Sequence, residues 1–261
     1  MRIAIVGVGN MGEAVLAGLV KAGHEVLAGV RRPERGAELS ERYDVVHGSA
    51  AEIVDGADVV VLGVKPYDIV SLIDSLPLAS GQLIVSLAAG IGTAQIEAAA
   101  PEGVGVVRVM PNTPAMIGEG MSIISPGASA TDEQVAVATE LMRAVGETVT
   151  VPERQLDAAT AVSGSGPAYV FYIAESLVEA GVHLGLPRAV ATRLVEQTLA
   201  GASLLLKSSD EHPAVLREQV TSPGGTTAAA LAVFEEDGLR STFLKATRAN
   251  RDRSREIAAE G

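Results

Sequence analysis

The chain has 261 residues, 48% of them hydrophobic, with 32 acidic against 20 basic side chains and a formal net charge of −12. That length exceeds the usual size of one core and suggests two domains, while the negative field and an aromatic content of 3% without Trp argue against a nucleic-acid partner. With no Cys there is no disulfide, thiolate nucleophile or thiolate metal site, and no metal ligand set is read from the sequence; with no signal-peptide pattern and no membrane-spanning apolar run, the expected address is cytoplasmic and no membrane partner is expected.

Short apolar runs alternate with amphipathic stretches through the first half. Strands are expected at 3–6, 25–30, 45–46, 59–64, 83–87 and 104–109, and helices near 11–22, 34–42, 66–75 and 93–99. Runs such as VVVLGV lack polar alternation and suit strands covered on both faces. The expected fold is therefore α/β, with an N-terminal Rossmann-like doubly wound parallel sheet joined by right-handed crossovers.

The first strand runs into GVGNMG at 7–12, a GxGxxG pattern that opens the first helix. Gly7 permits the tight turn, Gly9 lets a pyrophosphate approach the backbone, and Gly12 lets helix and strand pack closely, with Asn10 and Met11 in the turn between. Such glycines also close ordinary strand-to-helix turns, but the strand before and the helix after favour a dinucleotide. The second strand ends in Gly29-Val30-Arg31-Arg32-Pro33, with no carboxylate before Glu34 to hold a ribose 2′-hydroxyl. Arg31 and Arg32 suit a 2′-phosphate, so the cofactor expected is NADP, with NADPH preferred and NADH usable; the alternative is a solvated arginine pair on a loop.

The fourth strand ends in Val64-Lys65-Pro66 at the carboxyl edge of the sheet, where ligands of doubly wound folds collect. Lys65 either faces the nicotinamide or its phosphates or stands in solvent, Pro66 starts the next helix, and all three are candidate cofactor contacts. The sixth strand ends in RVMPNTP at 108–114, whose prolines stiffen a turn at the same edge. Met110 and Asn112 are candidate cofactor contacts there, unless the segment is only a rigid connector.

Beyond about residue 155 the strand pattern stops. Helices are expected at 166–184, 187–207, 212–221, 226–237 and 239–258, ended by Gly185 and Gly238 and begun by Pro187 and Pro213. The expected division is a cofactor-binding domain at 1–155 and a C-terminal all-helical domain at 156–261. An Ala- and Leu-rich segment of that size buries its apolar face best against a twin, so a homodimer is expected.

Two polar breaks interrupt the helices, SGSGPAY at 163–169 and SPGGTT at 222–227. The second offers backbone N–H groups at Gly224 and Gly225 and hydroxyls at Ser222, Thr226 and Thr227, all at a positive helix end that suits a small carboxylate. A simple cap needs one hydroxyl and no double glycine. Ser163 walls the same pocket, or else SGSGPAY is a helix contact that requires small residues. His24, His47, His183 and His212 lie outside every motif and read as structural, and Tyr169 beside Phe171 and Tyr172 reads as packing.

In this order and spacing, GVGNMG, VKP, RVMPNTP, SGSGPAY and SPGGTT make the whole chain resemble the pyrroline-5-carboxylate reductases; SPGGTT in a helical C-terminal domain is the specific part. The resemblance implies reduction of L-1-pyrroline-5-carboxylate to L-proline by NAD(P)H, the last step of proline synthesis. It implies a Rossmann domain and a helical dimerisation domain, with dimers that assemble into larger rings. By the same resemblance Thr227 hydrogen-bonds the ring nitrogen, Ser222, Gly225 and Thr226 clamp the carboxylate, and the site is shared between subunits. Thr227 and Lys65 are then the candidate catalytic residues, and Ser163, Ser222, Gly224, Gly225, Thr226 and Thr227 the candidate substrate contacts. A cyclic imine accepts hydride once its nitrogen is protonated or hydrogen-bonded, so placement matters more than a strong acid.

Rival readings stay open. A β-hydroxyacid dehydrogenase shares the plan but needs a Lys on the first helix of the second domain, and Gly166 to Gly185 contains none. A coenzyme F420 reductase does not account for the long SPGGTT domain, and an NADP sensor without turnover does not account for both motifs being present.

Overall fold

Alternation within single strands decides where the cores lie. In β1 (Arg2–Val6), Ile3 and Ile5 join the core on one face of the sheet and Ala4 and Val6 the core on the other, so the strand is covered on both sides. The computed structural model describes residues 1–260, with side chains to residue 258. From β1 the chain passes through α1 (Asn10–Lys21), β2 (Glu25–Gly29), α2 (Pro33–Tyr43), β3 (Val46–Gly48), α3 (Ala50–Val54), β4 (Val59–Leu62), α4 (Ile69–Ser75), β5 (Leu83–Ser86), α5 (Thr93–Ala99) and β6 (Gly105–Pro111). These strands pair in parallel and lie within a residue or two of the apolar runs in the sequence.

Three further elements continue the sheet where the sequence reading expects none: β7 (Gly120–Pro126), α6 (Asp132–Arg143) and β8 (Gly146–Thr150). β7 runs antiparallel to β6, and β8 parallel to β7, so the sheet is mostly parallel rather than wholly so. The strand signal is weak because Ser122 and Ser125 are buried within β7 and interrupt its apolar run, while β8 is a half-exposed edge. The full order is β3-β2-β1-β4-β5-β6-β7-β8, which reverses direction at β1.

A half-buried ion pair ties the late part of this sheet together. Arg108 on β6 is 8% exposed and donates to Glu153 at 3.2 Å. Glu153 also accepts the Thr93 backbone N–H at 2.8 Å and the Thr93 hydroxyl at 2.7 Å, so it caps α5 from 60 residues away. Burial pushes the Glu153 carboxyl up, but the hydrogen bonds from Thr93 and Arg108 and the Arg108 charge outweigh it and hold it below the usual carboxylate range.

The chain forms two compact units, residues 1–165 with 249 onward, and residues 166–248. The first unit extends past the end of the strand pattern because α7 (Leu156–Ala159) and a wider π turn (Thr160–Gly164) bury Leu156 and Ala161. The last turns of the C-terminal helix close onto this region through Ser254 to Asp157 at 2.8 Å and Asn250 to Ser165 at 2.9 Å.

The second unit is helical: α8 (Gly166–His183), α9 (Arg188–Ser208), α10 (Pro213–Gln219), α11 (Thr226–Glu236) and the first part of α12 (Leu239–Glu260). Gly185 and Gly238 take the positive φ expected of them, +95° and +69°. Ala191 is the one buried hydrophobic residue in 166–248, whereas Phe171, Tyr172, Leu194, Leu204, Leu205 and Phe234 are all exposed on this single chain. Apolar surface on that scale marks a contact with another chain. No described helix is long and apolar enough to cross a membrane.

Candidate active site

The turn after β1 is built from close backbone approaches. Gly7 has φ +90°, and a Cβ on Gly12 would lie 2.6 Å from the Gly7 carbonyl oxygen; a Cβ on Gly63, at the end of β4, would meet the same oxygen at 2.6 Å. Those glycines are demanded by the fold itself. Gly9 is different: its φ is −82° and a Cβ there would meet nothing within 4 Å. Neither backbone conformation nor packing requires glycine at residue 9, so the space above it suits a group that must approach the backbone closely.

Gly9 caps α1 without any side-chain hydrogen bond, leaving the positive end of a 12-residue helix directed at that space. The turn lines a cavity of about 790 Å³, in which Gly7, Gly9, Asn10, Met11 and Gly12 form the floor. Arg31 and Arg32 come to it from the end of β2, and Val64, Lys65 and Pro66 from the end of β4. Leu72, Leu87 and Ala88 add apolar wall. These are the loops on either side of the strand-order reversal, the usual ligand crevice of an open α/β sheet.

Two residues that line this cavity, Arg35 and Asp68, escape the sequence reading, as does Glu13, which pairs with Arg35. Arg35 lies one helical turn after Arg32 in α2 and pairs with Glu13 and, at 3.1 Å, with Glu38. Glu13, in the first turn of α1, also accepts from Arg42 and from the Tyr43 hydroxyl, each at 2.9 Å. Burial pushes the Glu13 carboxyl up, yet hydrogen bonds from Tyr43 and Arg35 and the nearby guanidinium charges win and hold it below its ordinary value. Asp68, three residues past Lys65, is the third and bonds Arg31. The i,i+3 spacing of Arg32 and Arg35 was the available signal for the first; the pairings of Glu13 and Asp68 are tertiary and left none.

Met110 and Asn112 do not line this cavity. The Asn112 side chain bridges two segments: its amide donates to the Ser163 carbonyl at 3.1 Å, and its oxygen accepts the Met121 N–H at 2.9 Å. Ser163 is thereby held at the end of β6. Among the described residues there is no group of three or more His, Asp or Glu that could hold a metal ion. His212 caps α10 by accepting the Ala214 N–H at 3.2 Å, and the Tyr169 hydroxyl is buried without a partner.

In the second unit, SPGGTT forms the entry to α11. Gly224 has φ +68°, the Gly225 N–H bonds the Ser222 carbonyl at 3.0 Å, and Gly225 stands at the N-cap with no side-chain cap bond. The hydroxyls of Ser222, Thr226 and Thr227 make no hydrogen bond among the described residues, and Thr227 is half-buried while the other two are exposed. The helix end therefore carries three uncommitted hydroxyls and free first-turn N–H groups.

Both units resemble known proteins. A family model described as NADP oxidoreductase, coenzyme F420-dependent, matches residues 2–90, and one for pyrroline-5-carboxylate reductase dimerisation matches 153–257. The chain is 42% identical over 264 residues to the pyrroline-5-carboxylate reductase of Corynebacterium melassecola, covering 98% of each. It is 36% identical to that of Arabidopsis thaliana, covering 98% of this chain and 95% of the other. The solved structure of a pyrroline-5-carboxylate reductase from Coxiella burnetii superposes with a TM-score of 0.94 at 35% identity, 98% of each chain covered. That of the Plasmodium falciparum pyrroline carboxylate reductase with NADP bound superposes at 0.86 with 28% identity, covering 99% and 98%.

Proposed function

The chain belongs to the pyrroline-5-carboxylate reductase family, and from that premise we propose which of its residues carry the reduction of L-1-pyrroline-5-carboxylate to L-proline. NAD(P)H, when bound, supplies the hydride that reduces the C=N bond. The residues of the cavity fit such a group: Gly9 leaves open the space a Cβ would fill, the α1 N-terminus faces negative charge, and Arg31 and Arg32 meet a 2′-phosphate, which favours NADPH over NADH. Asn10, Met11, Gly12, Val64, Lys65 and Pro66 complete the hold, with Lys65 as the cation that faces the nicotinamide or its phosphates.

The substrate carries one carboxylate and one imine nitrogen. Ser222, Gly224, Gly225 and Thr226 hold the carboxylate at the α11 N-terminus, and Thr227 hydrogen-bonds the ring nitrogen, whose proton comes with the substrate or from water as C5 gains hydride. The observation that carries this assignment is that the α11 N-cap is Gly225, so no side chain caps the helix and the three hydroxyls beside its N-terminus are left uncommitted. Ser163, Met110 and Asn112 belong to the same reading as a wall of the reacting pocket. The exposed apolar helices of the second unit support a homodimer in which the sites are completed across subunits, with rings as a further assembly. A cytoplasmic address is part of the same proposal.

The experiment is NADPH oxidation followed by its absorbance, with pyrroline-5-carboxylate as acceptor. Thr227→Ala should lower kcat by about a hundredfold, in the range for loss of one positioned hydrogen bond in a transition state, with NADPH affinity unchanged. Full turnover by the variant would move the nitrogen contact elsewhere.

A further inference from the structure

An ion pair on the rim of the cofactor cavity has no part in the reading above. Arg31, in the loop leaving β2, donates from Nη2 to Oδ2 of Asp68 at 3.2 Å. Asp68 closes the short turn Pro66–Asp68 that follows β4. Because β2 and β4 flank β1 in the sheet, the pair links the loops on either side of the glycine turn, and both residues line the cavity.

Asp68 stands at the N-cap of α4, where an aspartate ordinarily accepts a first-turn N–H, yet its side chain caps nothing. The carboxylate is committed to Arg31 instead. The other rim guanidiniums are held differently. Arg35 is fixed by Glu13 and Glu38, neither of which lines the cavity, and Arg32 has no ion pair among the described residues. Of the three, Arg31 alone is held by an acid that lines the cavity with it.

We propose that Asp68 is a specificity-determining residue: it competes with the cofactor 2′-phosphate for Arg31 and so moderates the preference for NADPH over NADH. This rests on the reading of Arg31 and Arg32 as 2′-phosphate contacts. A phosphate that takes Arg31 must displace Asp68, whereas NADH, which lacks that phosphate, leaves the pair intact. The Arg31 side chain is 82% exposed, so the pair is a weak one that a dianion can outbid without Asp68 moving the fold. Asp68 thus trims the advantage of NADPH rather than cancelling it.

The test is fluorescence titration of NADPH and NADH, with kcat/KM for each, on the wild type, Asp68→Asn, Arg31→Ala and the double variant. Asparagine keeps the shape and removes the charge. Asp68→Asn should tighten NADPH about fivefold, the scale of a weak exposed ion pair, and leave NADH within about twofold. The gain should vanish in the Arg31→Ala background. An unchanged NADPH-to-NADH ratio in Asp68→Asn, or a gain that persists without Arg31, overturns the role of Asp68 while leaving the arginine assignment standing. Equal losses of NADPH and NADH in Arg31→Ala overturn the 2′-phosphate reading and the proposal with it.

Discussion

The two compact units bury their apolar residues in opposite ways. In the first, Ile3, Ile5, Leu16, Ile84, Ile123 and their neighbours are inaccessible on both faces of the sheet, so the single chain completes its own core. In 166–248 Ala191 is the one buried hydrophobic residue, and whole helices such as α8, α10 and α11 have none. Helices that are apolar yet exposed on one chain bury that surface in an assembly, so the second unit should gain more stability from rising protein concentration than the first.

The sharpest way to break the first unit is Gly12→Ala. Its Cβ would meet the Gly7 carbonyl oxygen, a backbone atom that cannot rotate away, and the cost should be about 3 kcal/mol or more, seen as a large fall in Tm. Gly9→Ala provides the control within the same turn: it meets nothing, so Tm should stay within about 2 °C while NADPH binding weakens at least about tenfold, because the methyl occupies the approach to the backbone. A Gly9→Ala protein with normal NADPH affinity would remove the main support for the cavity assignment.

Glu153→Gln should come next, at about 2 kcal/mol, since it leaves the buried Arg108 guanidinium without its counter-charge. The pH dependence follows from the direction of its shift. With the folded Glu153 carboxyl below its unfolded value, its contribution is complete above about pH 4.3 and is lost as pH falls through the folded value. Chemical denaturation between pH 3 and pH 7, on the order of the span a carboxylate titrates over, should show a steeper acid limb in the wild type than in the glutamine variant.

Leu205→Ser should have the smallest effect on the folded chain, within about 0.5 kcal/mol, because the side chain is already exposed. Its effect belongs to assembly. Light scattering should show a shift toward smaller species at low concentration, and an unchanged size distribution would place the subunit contact on other helices.

Much of this was legible in the sequence for a local reason. Strands covered on both faces announce themselves as apolar runs, helix ends as Gly and Pro, and the cofactor turn as glycines at fixed spacing, so β1 to β6, the five long helical segments and residues 7–12, 31–32 and 64–66 could be placed without coordinates. Likewise SPGGTT could be assigned to a helix entry from its own residues. What depends on distant partners could not. β7 owes its place to pairing with β6 despite buried serines, and α7 with the π turn joins the first unit by packing on β6 and β7. Charge partners were just as hidden: Glu13 with Arg35, Asp68 with Arg31 and Glu153 with Arg108 lie 22, 37 and 45 positions apart, and nothing in a sequence window encodes such a distance. Periodicity and turn chemistry are properties of neighbouring residues, whereas pairing is a property of the folded chain, which alone decided how the candidate groups are held.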